Sequence, residues 1–131
     1  MDFLFCYTIS REVILWKVNI YLFWGEGCPH CKKEFDYLES LLKEYGKYFE
    51  VYAIEVSKNI DNRPMLEKFS NKMGDDNVID IENNRITFPY TVIGNKTFKG
   101  FSELSKDKIL DAIISEHVDS YDVYLDYIKN N

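Results

Sequence analysis

The sequence predicts a single α/β domain in which a mixed β-sheet carries helices on both faces. The chain of 131 residues has the size of one domain, and its hydrophobic content of 46% is ample for a core. Two strand-like apolar runs flank an amphipathic helix, a pattern that favours parallel strands joined by a right-handed crossover. A turn with Gly and Asn between two later strand-like runs predicts an antiparallel hairpin, so the sheet is expected to be mixed.

The first strand and the first helix have the clearest patterns. The β-branched and aromatic run Val18–Trp24 indicates a buried strand that ends in a glycine-containing turn. From Pro29 to about Tyr45, apolar residues recur at three- and four-residue steps, which predicts a helix that stops at Gly46. The apolar run from Phe49 to Val56 is then expected to form a second strand, parallel to the first.

A second helix is expected after the second strand. Asp61 or Asn62 can cap its start, Pro64 lies in its first turn, and Gly74 ends it. Residues 75–87 are polar and rich in Asn and Asp, which is typical of a loop.

A hairpin and a third helix follow this loop. The hairpin strands are predicted at 90–93 and 97–100, with residues 94–96 in the turn. Ser102 or Ser105 can cap the third helix, which carries apolar residues at helical spacing.

The two ends of the chain have weaker patterns. Alternating aromatic residues in 1–17 predict an additional N-terminal edge strand, and apolar residues in 118–131 predict a C-terminal helical extension. In the tyrosine-rich segment 121–127, a helix packed on the domain is a simpler interpretation than a partner surface. The core is therefore expected at about 18–117, and without a linker or repeat the whole chain, 1–131, is predicted to be one domain.

Charge and composition argue against several classes of partner. The formal net charge is −6, and its 16 basic side chains are scattered among 22 acidic ones, so nucleic acid is not an expected partner. The N-terminal apolar run begins with Asp2 and ends at Arg11, which predicts neither a signal peptide nor a membrane span. We therefore expect a cytoplasmic protein, and we expect it to be a monomer.

The three cysteines are too few for the disulfide framework of a small secreted domain. Cys28 and Cys31 are separated by two residues, a spacing that fits redox chemistry, a metal site or a structural pair. A structural zinc site needs four ligands, and beyond this pair the sequence offers only Cys6, His30 and His117. Redox chemistry is therefore favoured, with no metal and no cofactor expected besides the redox-active pair. Cys6 alone is interpreted as an inert buried thiol.

The position of the cysteine pair at the start of a helix predicts a different role for each cysteine. If Pro29 is the first helical residue, Cys28 lies at the N-cap, where free backbone N–H groups and the helix dipole stabilise its thiolate. Cys31 lies one turn further on the core-facing side and is expected to resolve the mixed disulfide that Cys28 forms. His30 can add a positive charge or a hydrogen bond to the thiolate.

Two segments resemble the thioredoxin superfamily. Phe23-Trp24-Gly25-Glu26-Gly27-Cys28 is similar to the approach to the thioredoxin redox pair, and Cys28-Pro29-His30-Cys31 is similar to the active site of bacterial disulfide oxidases. Phe88-Pro89-Tyr90-Thr91-Val92-Ile93-Gly94 resembles the strand with a cis-proline that faces this pair. The resemblance covers roughly residues 18–117 and implies a thioredoxin-like fold, with the length of its small, glutaredoxin-like members.

The resemblance also implies a substrate site. The Phe88–Pro89 bond should be cis, and the Phe88 backbone should hydrogen-bond an extended substrate chain held near Cys28, with Pro89 and Trp24 as further substrate-binding residues. Thioredoxins carry a buried acid six residues before the first cysteine, where this chain has Leu22. The proton acceptor for Cys31 is therefore open: Glu55 or a water could serve, although an ordinary exposed or paired Glu55 is the simpler interpretation.

The sequence thus predicts a thiol–disulfide oxidoreductase that acts on protein or small thiol and disulfide substrates. The alternatives are a glutathione-dependent, glutaredoxin-like reductase, a non-catalytic peptide-binding module with the same fold, and an iron–sulfur-bridged dimer that uses Cys28 and glutathione. His30 favours an oxidising protein, whereas the expected cytoplasmic location favours a reductase. The direction of electron transfer stays open at the level of sequence.

Overall fold

The computed structural model describes residues 17–80 and 82–119, with side chains as far as His117. The predicted N-terminal edge strand, Cys6 and the tyrosine-rich segment 121–127 lie outside the described residues. The elements in chain order are β1 (Val18–Trp24), α1 (Pro29–Tyr45), β2 (Phe49–Glu55), a 3-10 turn (Ile60–Asn62), α2 (Arg63–Lys72), β3 (Ile79–Asp80), β4 (Arg85–Ile86), β5 (Tyr90–Ile93), β6 (Lys96–Lys99) and α3 (Glu103–Asp119).

The central sheet has four strands in the spatial order β2-β1-β5-β6. β1 and β2 are parallel over their whole length, with Val18 opposite Phe49 at one end. β5 runs antiparallel to β1 and pairs Thr91 with Leu22, and β6 runs antiparallel to β5. The sheet is therefore mixed, as the sequence predicts.

Both faces of the sheet are covered by helices. One face packs against α1 and α3 through the core residues Ile20, Leu22, Phe35, Leu38, Ile109 and Ile113. The other face packs against α2 through Tyr21, Phe23, Leu66, Phe69 and Val92. Because alternate side chains of β1 meet different helices, the strand is apolar throughout instead of alternating with polar residues.

The starts of α2 and α3 differ in their caps. Asn62 lies at the N-cap of α2, as the sequence predicts, but its side chain donates a hydrogen bond to the Glu55 carbonyl at 2.8 Å instead of capping the helix. Ser102 precedes α3, and its N–H donates to the Ser105 hydroxyl at 3.0 Å. None of the helices in the described part of the chain is both long enough and apolar enough to cross a membrane.

Three sequence predictions are corrected by the structure. β2 ends one residue early, at Glu55. The turn of the β5–β6 hairpin has two residues instead of three, because Gly94 adopts a left-handed conformation with φ of 61° that allows a tight turn. The predicted loop 75–87 contains the small antiparallel pair β3 and β4, whose two-residue strands are too short to leave a periodic pattern.

Candidate active site

Cys28 and Cys31 form a disulfide at the N-terminus of α1, with their Cα atoms 5.2 Å apart. Cys28 is the N-cap residue, and its Sγ accepts a hydrogen bond from the Cys31 N–H at 3.1 Å. Pro29 is the first helical residue. The structure therefore places the pair where the sequence predicts it, with a backbone N–H directed at the Cys28 sulfur.

The two cysteines differ in exposure. Cys31 is 1% exposed, whereas Cys28 is partly exposed and lines a shallow cavity of about 290 Å³ together with Trp24. The Trp24 ring packs edge-on against Phe35 of α1, with ring centroids 5.7 Å apart. A molecule from solvent thus reaches Cys28 before it reaches Cys31.

Glu55, at the end of β2, holds the loop that leads into Cys28. Its carboxylate accepts hydrogen bonds from the backbone N–H groups of Glu26 at 3.2 Å, Ser57 at 3.0 Å and Asn59 at 2.8 Å. The Lys58 N–H donates to the same carboxylate at 2.9 Å. Glu55 thereby connects the active-site loop to the segment that follows β2.

The hydrogen bonds around Glu55 also change its acidity. Burial by itself raises the pKa of this carboxyl, but the hydrogen bonds from Ser57, Asn59 and Lys58 outweigh burial and lower the pKa to about 2. So strong an acid is a poor proton acceptor at neutral pH. These contacts favour the interpretation of Glu55 as a paired glutamate over a role as the proton acceptor for Cys31.

Glu34 is a buried acid on the helix of the cysteine pair, and the sequence analysis did not consider it. It lies one helical turn after Cys31 on α1 and is 0% exposed. Its Oε2 accepts a hydrogen bond from the Thr91 hydroxyl at 2.5 Å, while its Oε1 has no partner among the described residues. Burial raises the pKa of Glu34 to about 7, and the hydrogen bond from Thr91 opposes this only in part.

The register of the sheet places the Glu34 carboxylate close to Leu22 of β1. Thr91 on β5 lies opposite Leu22 on β1, the residue six positions before Cys28 where, by the resemblance given above, thioredoxins carry a buried acid. The Glu34 carboxylate therefore approaches the sheet beside that position, from the helix instead of the strand. The signal in the sequence was an acid on the same helical stripe as Cys31 and Leu38, where apolar residues are expected.

The Phe88–Pro89 peptide bond is cis, as the resemblance implies. Pro89 is buried, and its carbonyl accepts a hydrogen bond from the Gly100 N–H at 2.8 Å. The Phe88 ring covers Gly25 so closely that a Cβ placed there would lie 2.6 Å from the ring. Gly25 therefore allows the cis-proline segment to pack directly on the loop before Cys28.

The remaining candidate residues are spread over two regions. His30 is exposed and lines a larger cavity between α1 and the start of α3. His117 packs edge-on against Tyr48, which hydrogen-bonds Val18 at the far end of β1 from Cys28. Within residues 17–80 and 82–119, no group of three or more His, Cys, Asp or Glu side chains is placed so that it could hold a metal ion.

Comparisons with known proteins add to this geometry. No family model and no curated protein matches the chain. Among solved structures, the chain is similar to a putative thiol:disulfide interchange protein DsbE from Chlorobium tepidum, with a TM-score of 0.52 and 16% identity over 77% of this chain and 80% of that chain.

Two further solved structures show lower TM-scores. One is a glutaredoxin from Archaeoglobus fulgidus, with a TM-score of 0.46 and 20% identity over 82% of this chain and 98% of that chain. The other is a putative thioredoxin from Neisseria meningitidis, with a TM-score of 0.43 and 23% identity over 80% of this chain and 80% of that chain. The chain has a thioredoxin-like fold, and the resemblance seen in the sequence is confirmed at the level of the fold.

Proposed function

We propose that this protein is a thiol–disulfide oxidoreductase that exchanges the Cys28–Cys31 disulfide with its substrates. The observation that carries the proposal is this disulfide itself, placed at a helix N-terminus with one accessible and one buried cysteine. An inert structural disulfide has no need of an accessible sulfur or of an N–H directed at that sulfur. The cis Phe88–Pro89 bond beside the active-site loop adds support.

In the reducing direction, the Cys28 thiolate attacks one sulfur of a substrate disulfide. A bond forms between Cys28 and that sulfur, the substrate S–S bond breaks, and the released substrate sulfur takes up a proton. The hydrogen bond from the Cys31 N–H stabilises negative charge on Cys28 before the attack and after its release. The Phe88 backbone, Pro89 and Trp24 hold the substrate chain during this step.

Cys31 then resolves the mixed disulfide. Its thiol loses a proton, its sulfur attacks Cys28, and the Cys28–Cys31 disulfide forms as the second substrate sulfur leaves and is protonated. Two electrons pass from the two cysteines to the substrate, and an external dithiol must reduce the pair again. The same steps run backwards oxidise a substrate dithiol.

Glu34 is proposed as the proton acceptor for Cys31, directly or through one water. It lies one turn from Cys31, is buried beside it, and keeps one carboxylate oxygen unpartnered within the described residues. A pKa of about 7 lets a carboxylate accept and return protons near neutral pH.

Replacement of Cys28 by Ser tests the proposal. The unaltered protein should accelerate the reduction of insulin disulfides by dithiothreitol, and Cys28→Ser should lose this acceleration because a hydroxyl cannot form the mixed disulfide. Turbidity from precipitated insulin chains measures the rate. If Cys28→Ser retains the activity of the unaltered protein, Cys28 is not the nucleophile and the proposal fails.

A further inference from the structure

A cavity of about 550 Å³ opens beside His30, between α1 and the start of α3. Its apolar wall is formed by Tyr37 and Phe101, whose ring centroids lie 6.0 Å apart. Phe101 is 7% exposed, and the Tyr37 hydroxyl donates a hydrogen bond to the Lys106 carbonyl at 2.8 Å. This wall is therefore fixed by the fold before any ligand arrives.

The acidic side chains that line the cavity are each paired with a lysine. Asp36 pairs with Lys32 at 3.0 Å, and Glu103 pairs with Lys106 at 3.0 Å. Lys33 belongs to the same lining and has no ion pair within the described part of the chain. Of the charged side chains that line the cavity, Lys33 is therefore the one without an ion pair in the described part of the chain, while Asp107 and Asp111 act on Tyr37 from outside the lining.

The cavity lies close to the two segments that the proposed function assigns to the cysteine pair and to substrate binding. Phe101 follows Gly100, whose N–H is hydrogen-bonded to the Pro89 carbonyl, and His30 lies two residues after Cys28. In an extended chain, each residue adds about 3.3 Å. A substrate side chain a few residues from the attacked sulfur therefore lies within reach of the cavity.

We infer that this cavity receives an acidic side chain of the substrate, located a few residues from the cysteine that Cys28 attacks, and that Lys33 binds its carboxylate. The inference rests on the proposed oxidoreductase function. The rings of Tyr37 and Phe101 cover the aliphatic part of the acidic side chain, and the flexible Lys33 ammonium reaches its carboxylate. Lys33 is thus a specificity-determining residue that takes no part in electron transfer.

The net charge of the whole chain limits the proposed preference for acidic side chains to short distances. A net charge of −6 repels an acidic protein at a distance, whereas Lys33 attracts a carboxylate that is already inside the cavity. Short peptides isolate the local effect, because they carry few other charges.

Two peptide disulfides that differ only in Glu or Lys at the third residue after the cysteine test the inference. The reduced full-length protein should reduce the Glu peptide with a kcat/KM about fivefold above that of the Lys peptide at low salt, and the ratio should approach one in about 0.5 M salt. Both peptides are attacked by the same Cys28, so any effect of a substitution on its thiolate cancels in the ratio.

Charge reversal at two lysines of α1 supplies the matched comparison. Lys33→Glu should bring the ratio below one, because the cavity then repels the Glu peptide. Lys43→Glu changes the net charge equally on the same helix, roughly 15 Å further along its axis. Lys43 is exposed and does not line the cavity, so this variant should keep the ratio of the unaltered protein.

The outcomes separate the two proposals. Equal kcat/KM values for the two peptides at low salt would overturn the inference about the cavity and leave the oxidoreductase function standing. A shift of the ratio by Lys43→Glu as large as that by Lys33→Glu would assign the preference to net charge and would also overturn the inference. A protein that reduces neither peptide would contradict the oxidoreductase function itself.

Discussion

Glu34 is an acid at a helix position where the pattern of α1 calls for an apolar residue. Its full burial, with one oxygen unpartnered among the described residues, makes the ionised form costly. A buried carboxyl of this kind avoids that cost when it is protonated. Glu34 is therefore expected to lower the stability of the protein at neutral pH in return for a proton-transfer role.

The stability of the disulfide form should fall as the pH rises through the titration range of Glu34. The pKa is about 7 in the folded protein and 4.5 ordinarily, so between these values the folded state holds a proton that the unfolded state has lost. The free energy of unfolding should drop by about 3 kcal/mol over this range. Glu34→Gln should remove this drop in urea unfolding at pH 4.5 and pH 8; parallel pH profiles of the two proteins would refute the assignment.

The same substitution should slow the resolution of the mixed disulfide. Without Glu34 the Cys31 thiol loses its nearby proton acceptor, and general base effects of this kind are worth about 100-fold or more. Acid quenching followed by mass spectrometry measures how fast the Cys28 adduct with a peptide decays. Glu39→Gln removes an exposed carboxylate from the same helix and is the control. Equal decay in both variants would remove Glu34 from the mechanism.

At the scale of elements, the β5–β6 turn is fixed to α3 by a buried glutamate. Glu116 is 2% exposed, accepts a hydrogen bond from the Asn95 N–H at 3.2 Å and pairs with Lys96 at 3.1 Å. Gly94, at the start of this turn, lies against the same carboxylate. The hairpin therefore packs closely against α3 because Gly94 has no side chain.

Gly94→Ala should destabilise the protein more than Gly74→Ala. Both glycines have positive φ, 61° and 75°, so each substitution carries a backbone cost of about 1 kcal/mol. A Cβ at Gly94 would also collide with Glu116, whereas nothing lies within 4 Å of a Cβ at Gly74. Urea unfolding should show an additional loss of about 1–3 kcal/mol for Gly94→Ala. Equal losses would show that the contact with Glu116 relaxes without cost.

How far an element could be predicted from sequence depends on the length of its pattern. β1 and α1 were predicted with their bounds, because a covered strand and a 17-residue amphipathic helix repeat their signals several times. The pair β3 and β4 was missed because two-residue strands repeat nothing. The cap of α2 was only half predicted, since the Asn62 side chain found a tertiary partner in the Glu55 carbonyl.

At the scale of the whole molecule, the sheet topology assembles the candidate site at one edge. Because β1 and β2 are parallel, their last residues, Trp24 and Glu55, lie side by side. The antiparallel strand β5 begins at the same edge of the sheet, directly after Pro89. The redox pair could be predicted from the spacing of its cysteines, and the cis bond before Pro89 from the family resemblance. The pairing of Glu34 with Thr91 could not, because it depends on strand register and helix packing across 57 residues of sequence.

Trapping of the mixed disulfide tests the central claim most directly, that Cys28 attacks and Cys31 resolves. Cys31→Ser should accumulate a covalent adduct with a disulfide-containing peptide, since no second thiol of the pair is left to release it. Peptide mapping by mass spectrometry should place the peptide on Cys28, while Cys28→Ser gives no such adduct. An adduct on Cys31 in Cys28→Ser, together with none on Cys28 in Cys31→Ser, would contradict the account.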